Sequence, residues 1–410
     1  MKKETKGKRE VFVEETKSID KREELALRTK AKRKKLAVLL AAALVVVVGL
    51  GLFLMLRTRR FESYKELASA ELYNNVIGYD AKGDTFYAYS NDGAKGLTAE
   101  GKVRWEMSYH LDNPELSYCN NVASVADIGG TSVYVVAENG IPYHYEVMYP
   151  IVKHAVAKQG VTAVLLDNGT EDFIQLYDIN GTLRVDINTK TKSDGIPVDI
   201  ALSEDGKRLV TLYVTFQGSE IIGKVTFYNA GEVGKNYIGN IVGQKTFENN
   251  VLVYDVGFLN KDYVYVLYEN GFCVYHMKEV PELVQERTIK NEILDVAVTE
   301  DGIYFVEQTS LGQKRLNFYS VGDGLIAEWG SETWKEVPEY ETFLATKDEV
   351  IFFSPQSVLI YRKNKSLKYK GEFLGTQEAV FPIGGNKYFL VDSHGIRTIK
   401  LSGRKQREGE

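Results

Sequence analysis

Cysteine and histidine are scarce in this chain. Its 410 residues include 2 Cys, 5 His, 8 Pro and 3 Trp. Two cysteines cannot build a disulfide framework or a zinc cluster. Cys119 and Cys273 lie far apart in sequence, and each suits a small buried apolar residue better than half of a disulfide. His144 and His154 are the closest histidine pair, so no H-x-H or H-E-x-x-H spacing exists for a metal. The nearest approach to a phosphate loop runs from Gly218 to Gly223 and Lys224, but Val225 stands where Ser or Thr is required. No G-x-S-x-G elbow is present, and Gly322 and Gly324 do not continue into a dinucleotide fingerprint. The carboxylates visible in sequence, such as Glu204/Asp205 and Glu300/Asp301, sit at hairpin tips. No catalytic, metal or cofactor residue is therefore assigned, and no cofactor is expected.

Charge and apolarity are unevenly spread. Residues 36–56 form an apolar run of 21 residues with no charge. As a helix that run covers about 31 Å, which matches a bilayer core of roughly 30 Å. A cleaved signal peptide fits poorly, because 35 residues rich in charge precede the run and no small-residue cleavage site follows it. Nine Lys/Arg fall in residues 16–35 and four in residues 57–76. The richer side stays in the cytoplasm, so the expected protein is a single-pass membrane protein with its N-terminus inside and the remainder outside. The tail, residues 1–35, carries net +7. Everything beyond residue 56 holds 37 Lys/Arg against 49 Asp/Glu, a net of -12, which excludes the basic footprint of a nucleic-acid binder.

From about residue 61 to 403 the sequence reads as short β-strands. Eight segments share one plan of apolar strand, tight polar turn and second apolar strand. VDIALSEDGKRLVTLYV around Gly206 and VAVTEDGIYFV around Gly302 are the clearest. The eight turns centre on residues 83, 121, 160, 206, 261, 302, 347 and 385. Their Gly, Asn and Asp tips accept the positive φ that tight turns need. A second hairpin follows each of the first, with Tyr177, Tyr228, Tyr275, Tyr319 and Tyr361 in equivalent places. Two hairpins per period of about 43 residues make a four-stranded blade, so the expected fold is an all-β propeller. Eight blades is the count; seven would remain if the weak first repeat were not a blade. The last blade lacks an outer strand at the C-terminus, and residues 61–72 are expected to supply it, hiding an open edge. The domain reading is a cytoplasmic tail (1–35), a transmembrane helix (36–56), a juxtamembrane linker with the ring-closing strand (57–72), the propeller (73–403) and a disordered tail (404–410).

The turn Ser203-Glu204-Asp205-Gly206-Lys207 resembles the S-x-D-G-K hairpin of propeller repeats. Ala99-Glu100-Gly101-Lys102-Val103-Arg104-Trp105 resembles the T-G-K-x-x-W docking motif of quinoprotein-like eight-bladed propellers, in which the Trp packs between blades; Trp329 matches it in part. With its basic tail, single apolar run and Tyr-rich repeats, the chain is similar to a family of uncharacterised membrane-anchored propeller proteins of Gram-positive anaerobic bacteria. That resemblance implies the architecture and no activity. Quinoprotein dehydrogenases often carry vicinal cysteines at the cofactor, which the separated Cys119 and Cys273 do not reproduce.

The chain has 26 Tyr. The periodic ones read as structural. Irregular aromatics near loop edges, namely Tyr118, Tyr143, Tyr145, Tyr149 and Trp334, are the candidates for ligand or partner contact. The functional expectation is a non-catalytic binding or assembly module at the cell envelope. It would be anchored in the lipid bilayer through residues 36–56, with a protein or glycan partner at the propeller rim. The alternative is an extracytoplasmic carbohydrate-active or quinoprotein-like enzyme. Convergence of two or more carboxylates at a channel mouth would favour that alternative.

Overall fold

The computed structural model describes residues 35, 39–49, 51, 58–72, 75–189, 195–248, 250–321, 328–329, 337–373 and 375–403. The chain divides into two units, Met1–Arg59 and Arg60–Glu410. In the first, residues 39–49 are helical with exposed side chains. Among the described residues no helix is long and apolar enough to cross a membrane. Much of the tail, part of the apolar run at 36–56, Trp334 and residues 404–410 lie outside the described residues.

The second unit holds eight antiparallel four-stranded sheets. Blades 1 to 7 span residues 78–108, 114–146, 151–189, 196–247, 253–288, 292–329 and 342–372. Each uses its strands in sequence order. Blade 8 combines three strands from residues 379–402 with the strand Ser63–Ala70, which pairs antiparallel with Gly395–Ser402 from Ser63↔Ser402 to Ala70↔Ile396. The ring is thus closed by its own first strand, and no strand from outside residues 60–410 is needed. Phe61, just ahead of that strand, bridges to Tyr369 of blade 7 and is 8% exposed.

The first strands of blades 2 and 3, 3 and 4, 4 and 5, 6 and 7, and 8 and 1 lie against one another, so the first strands surround the channel. The second strands are buried on both faces, which is why TAVLL, RLVTLY and YVYVLY read as continuous apolar runs. Outer strands such as Val103–Ser108 alternate instead. There is one apolar cluster per seam between blades, eight in all among the described residues. Trp105 sits in the seam of blades 1 and 2, 4% exposed, against Tyr87. Gly96 makes room for it, since a Cβ there would lie 2.6 Å from the indole nitrogen. The wide spacing around blade 4 comes from a hairpin of two ten-residue strands, Arg208–Gln217 and Glu220–Asn229, and a loop with two short 3-10 turns. The phosphate-loop lookalike spans the tip and second strand of that hairpin, with no helix to receive a phosphate.

Antiparallel order sets the two faces of the ring. Turns between first and second strands lie on one face with those between third and fourth. Turns between second and third strands lie on the other, with the links between blades.

Candidate functional site: the channel wall

An acid recurs on the innermost strands. Asp80, Asp199, Asp255 and Asp295 each follow an apolar or aromatic residue and precede an aliphatic one, as in Val198-Asp199-Ile200 and Tyr254-Asp255-Val256. In blades 4, 5 and 6 the Asp comes directly after a register shift, between Pro197/Asp199, Val253/Asp255 and Ile293/Asp295. Blade 3 has the same shift at Ile151/Lys153 and places Lys153 there. Such a bulge sets two residues opposite one and re-aims their side chains. In blades 4 to 6 it leaves the apolar residue exposed and its Asp half-buried.

These carboxylates hold the ring together. The amides of Ala81, Ile200 and Val296 donate to Oδ1 of Asp80, Asp199 and Asp295 at 2.7, 2.9 and 2.8 Å. In Asp80 and Asp199 the second oxygen reaches the next blade: Tyr118 Oη of blade 2 donates to Asp80 Oδ2 at 2.8 Å, and the Val256 amide of blade 5 donates to Asp199 Oδ2 at 3.2 Å. Tyr340, ahead of blade 7, and Tyr265, in blade 5, act to lower the carboxyl pKa of Asp295 and Asp255. Ser117 repeats the idea between blades 2 and 3, accepting from the Val156 amide at 3.2 Å. Lys153 crosses the same seam to Glu115 at 3.1 Å.

Burial raises the carboxyl pKa of all four acids, while the hydrogen bonds oppose it. Asp199 is pushed furthest, to about 6; burial dominates, the negative charge of Asp255 adds to it, and Lys153 works the other way. Carboxylates from adjacent blades therefore do converge. Their recurrence in four blades, with backbone amides as partners, marks a structural position first.

The five aromatic candidates do not form one surface. Tyr118 lies on the innermost strand of blade 2, stacked on Tyr87 at 4.8 Å and bonded to Asp80. Tyr143 and Tyr145 lie on the outermost strand of that blade, Pro142–Glu146. Tyr145 is 8% exposed and packs on Tyr177 of blade 3 at 5.2 Å, while Tyr143 is half-buried. Tyr149, in the link to blade 3, stacks on Phe173 at 5.0 Å and lines a cleft of about 680 Å³ with Ile128, Pro150 and Asp167. Trp334 falls outside the described residues. The periodic tyrosines end the third strands; Tyr177, Tyr228, Tyr275 and Tyr319 are buried and Tyr361 half-buried. A register shift against the fourth strand occurs at Tyr177, Tyr228, Tyr275 and Tyr361.

A second, polar cleft of about 970 Å³ crosses the first-turn face over blades 1 to 3, lined by Lys82, Asp84, Asn121, Glu138 and Lys158 among others. Two of its charges are paired, Asp84 with Arg104 at 3.1 Å and Lys158 with Glu204 at 3.5 Å. Cys119 and Cys273 are both free thiols in separate blades, and burial pushes Cys273 up to about 12. Among the described residues no group of three His, Cys, Asp or Glu is placed to hold a metal.

The four channel Asp lie within the innermost strands, apart from the acids at the turn tips. An apolar–Asp–aliphatic triplet a few residues ahead of four of the eight turns was the available signal.

Several solved propellers are similar. BamB from Moraxella catarrhalis aligns over 83% of this chain and 100% of its own, at 11% identity and a TM-score of 0.48. Apo AztD from Citrobacter koseri aligns over 74% and 86%, at 10% identity and a TM-score of 0.49. The WD40 domain of SCAP from fission yeast aligns over 83% and 98%, at 10% identity and a TM-score of 0.48. No curated protein matches the sequence. The family model that does match, over residues 57–401, places the chain in a family of unknown function, DUF5711.

Proposed function

We propose that the chain is a non-catalytic binding or assembly module of the cell envelope, held by a membrane helix at residues 36–56 with its ring outside. The observation that carries this reading is the use of the channel acids. Asp80 and Asp199 each spend one oxygen on the amide of the following residue and the other on the next blade, and Asp295 repeats the first of these bonds. Around the same channel, blades 4 to 6 leave Ile196, Val198, Leu252, Tyr254 and Leu294 exposed. Apolar side chains clustered on a rigid rim suit association better than turnover.

An enzyme is the second reading, and it rests on Asp199 and Asp255. A carboxyl raised to about 6 beside a second acid could serve as a general acid. The separated thiols give no support to its quinoprotein form. The two readings part in one experiment. Purified ring, residues 60–410, is incubated with cell-wall glycans, common glycosides and a quinone-linked dye, and turnover is followed. No saturable turnover is expected. Turnover that disappears in Asp199→Asn or Asp255→Asn, with the ring still folded, would make the protein an enzyme.

A further inference from the structure

The channel mouth on the face of the blade links has a composition that says what it could hold. In blade 4 exposure runs Ile196 exposed, Pro197 buried, Val198 exposed, Asp199 half-buried; in blade 5 it runs Leu252, Val253, Tyr254, Asp255 in the same pattern. Blade 6 keeps Leu294 and Asp295 in the last two places. Ile196, Val198, Leu252, Tyr254 and Leu294 are 51%, 36%, 44%, 43% and 39% exposed. These apolar groups ring one side of the mouth, and a carboxylate stands immediately behind each of Val198, Tyr254 and Leu294. Lys153, the cation nearest these acids, is paired with Glu115. The chain beyond residue 56 carries net -12.

We propose that this mouth, on blades 4 to 6, binds an extended polypeptide segment in which apolar residues alternate with Lys or Arg. The inference rests on the binding-module reading and names its partner's chemistry. An extended strand projects successive side chains to opposite sides. Its cations would reach down to Asp199 and Asp255 while its apolar side chains cover the rim. Charge complementarity excludes an anionic lipid surface, which the carboxylates would repel. A glycan would want an exposed stacking platform, and among the described residues of blades 4 to 6 the exposed apolar groups at this mouth are Tyr254 and four aliphatic side chains.

The test uses the ring, residues 60–410, which contains every blade and its own closing strand. The probe is a fluorescent peptide of glycine-flanked alternating leucine and arginine, read by anisotropy, with a counterpart carrying glutamate for arginine. Saturable binding of the arginine peptide is expected, weaker by at least about tenfold for the glutamate peptide. Tyr254→Ser and Leu294→Ser should each weaken it by about tenfold, and higher salt should weaken it further. Both side chains are partly covered, so a small drop in melting temperature is expected, with the ring still folded at the temperature of the binding assay. Val103→Ser, at an exposed site on the outer strand of blade 1, should leave binding unchanged. Equal binding of the two peptides, no effect of the rim substitutions, or no saturable binding would each overturn the proposal. A photo-crosslinker at Tyr254 or at Val280 on the opposite face of the full chain keeps its failure apart from that of the parent reading. A partner captured from Val280 alone would overturn this inference and leave the module reading standing.

Discussion

Arg208 shows how much a single side chain does in a seam. It is 4% exposed, and its guanidinium spans blades 4 and 5, donating to Asp262 Oδ1 at 3.0 Å and to the Met277 carbonyl at 2.6 Å. Removing the cation leaves a carboxylate and a buried carbonyl without their donor. Arg208→Met is expected to cost about 1–3 kcal/mol, chiefly from the Met277 carbonyl left without a donor, read as a lower denaturant midpoint with the slope unchanged. A midpoint within error of the parent would refute the role. Asp199 supplies a second test at this scale. Its folded pKa lies above that of the unfolded chain, so the stability it contributes is present below about pH 4 and is lost as pH rises through about 6. Its carboxyl carbon should titrate by NMR with a midpoint near pH 6, and Lys153→Met should move that midpoint upward. A midpoint below 5, or a downward move, would contradict the burial argument. The Asp triplet recurs in the sequence without a motif that marks it, and the partners Tyr118 and Val256 are hidden there because each comes from another blade.

Elements were the most legible part of this protein. Turn spacing marks the first hairpins, and the periodic Tyr marks the end of the third strand in blades 3 to 7, four of which shift register there against the fourth strand. The closing strand followed from counting a missing outer strand in the last repeat. Its range, Ser63–Ala70, falls inside the expected 61–72. In blade 6 the outgoing strand expected at the end of LNFYSVGDGLIAEW is present at Glu328–Trp329, paired with Phe318 and Tyr319. One truncation and one substitution probe this scale. A chain starting at residue 73 exposes the edge of Gly395–Ser402, including Ile399 and Leu401, which are 2% and 3% exposed when covered. It should melt well below residues 60–410 and aggregate; equal melting would refute closure. Gly96→Ala forces Trp105 to move, because the added carbon would sit 2.6 Å from its indole nitrogen. The expected cost is about 1–3 kcal/mol, and Trp105→Phe in the same chain should recover part of it.

At the scale of the whole molecule, stability is divided among eight seams, and function was hardest to read for the same reason. The rim of the mouth draws on residues 196, 252 and 294, about one repeat apart, so no local motif announces it. Charge, by contrast, is legible over the whole chain and yields the broadest prediction. Nine Lys/Arg precede the apolar run within twenty residues and four follow it, and the part beyond residue 56 is net -12. Lys/Arg excess holds a flank in the cytoplasm, whereas acidic residues contribute little to that choice. The tail should therefore stay inside while the ring crosses. Lys207 and Lys261 sit exposed at first turns of blades 4 and 5, open to a membrane-impermeant amine reagent. Applied to intact protoplasts, that reagent should modify both, as read by peptide mass, and leave Lys32, Lys34 and Lys35 unmodified until the membrane is permeabilised. Modification of the tail lysines first, with Lys207 and Lys261 protected, would reverse the orientation. Modification of neither group before permeabilisation would place the whole chain inside and remove the envelope from the proposed function.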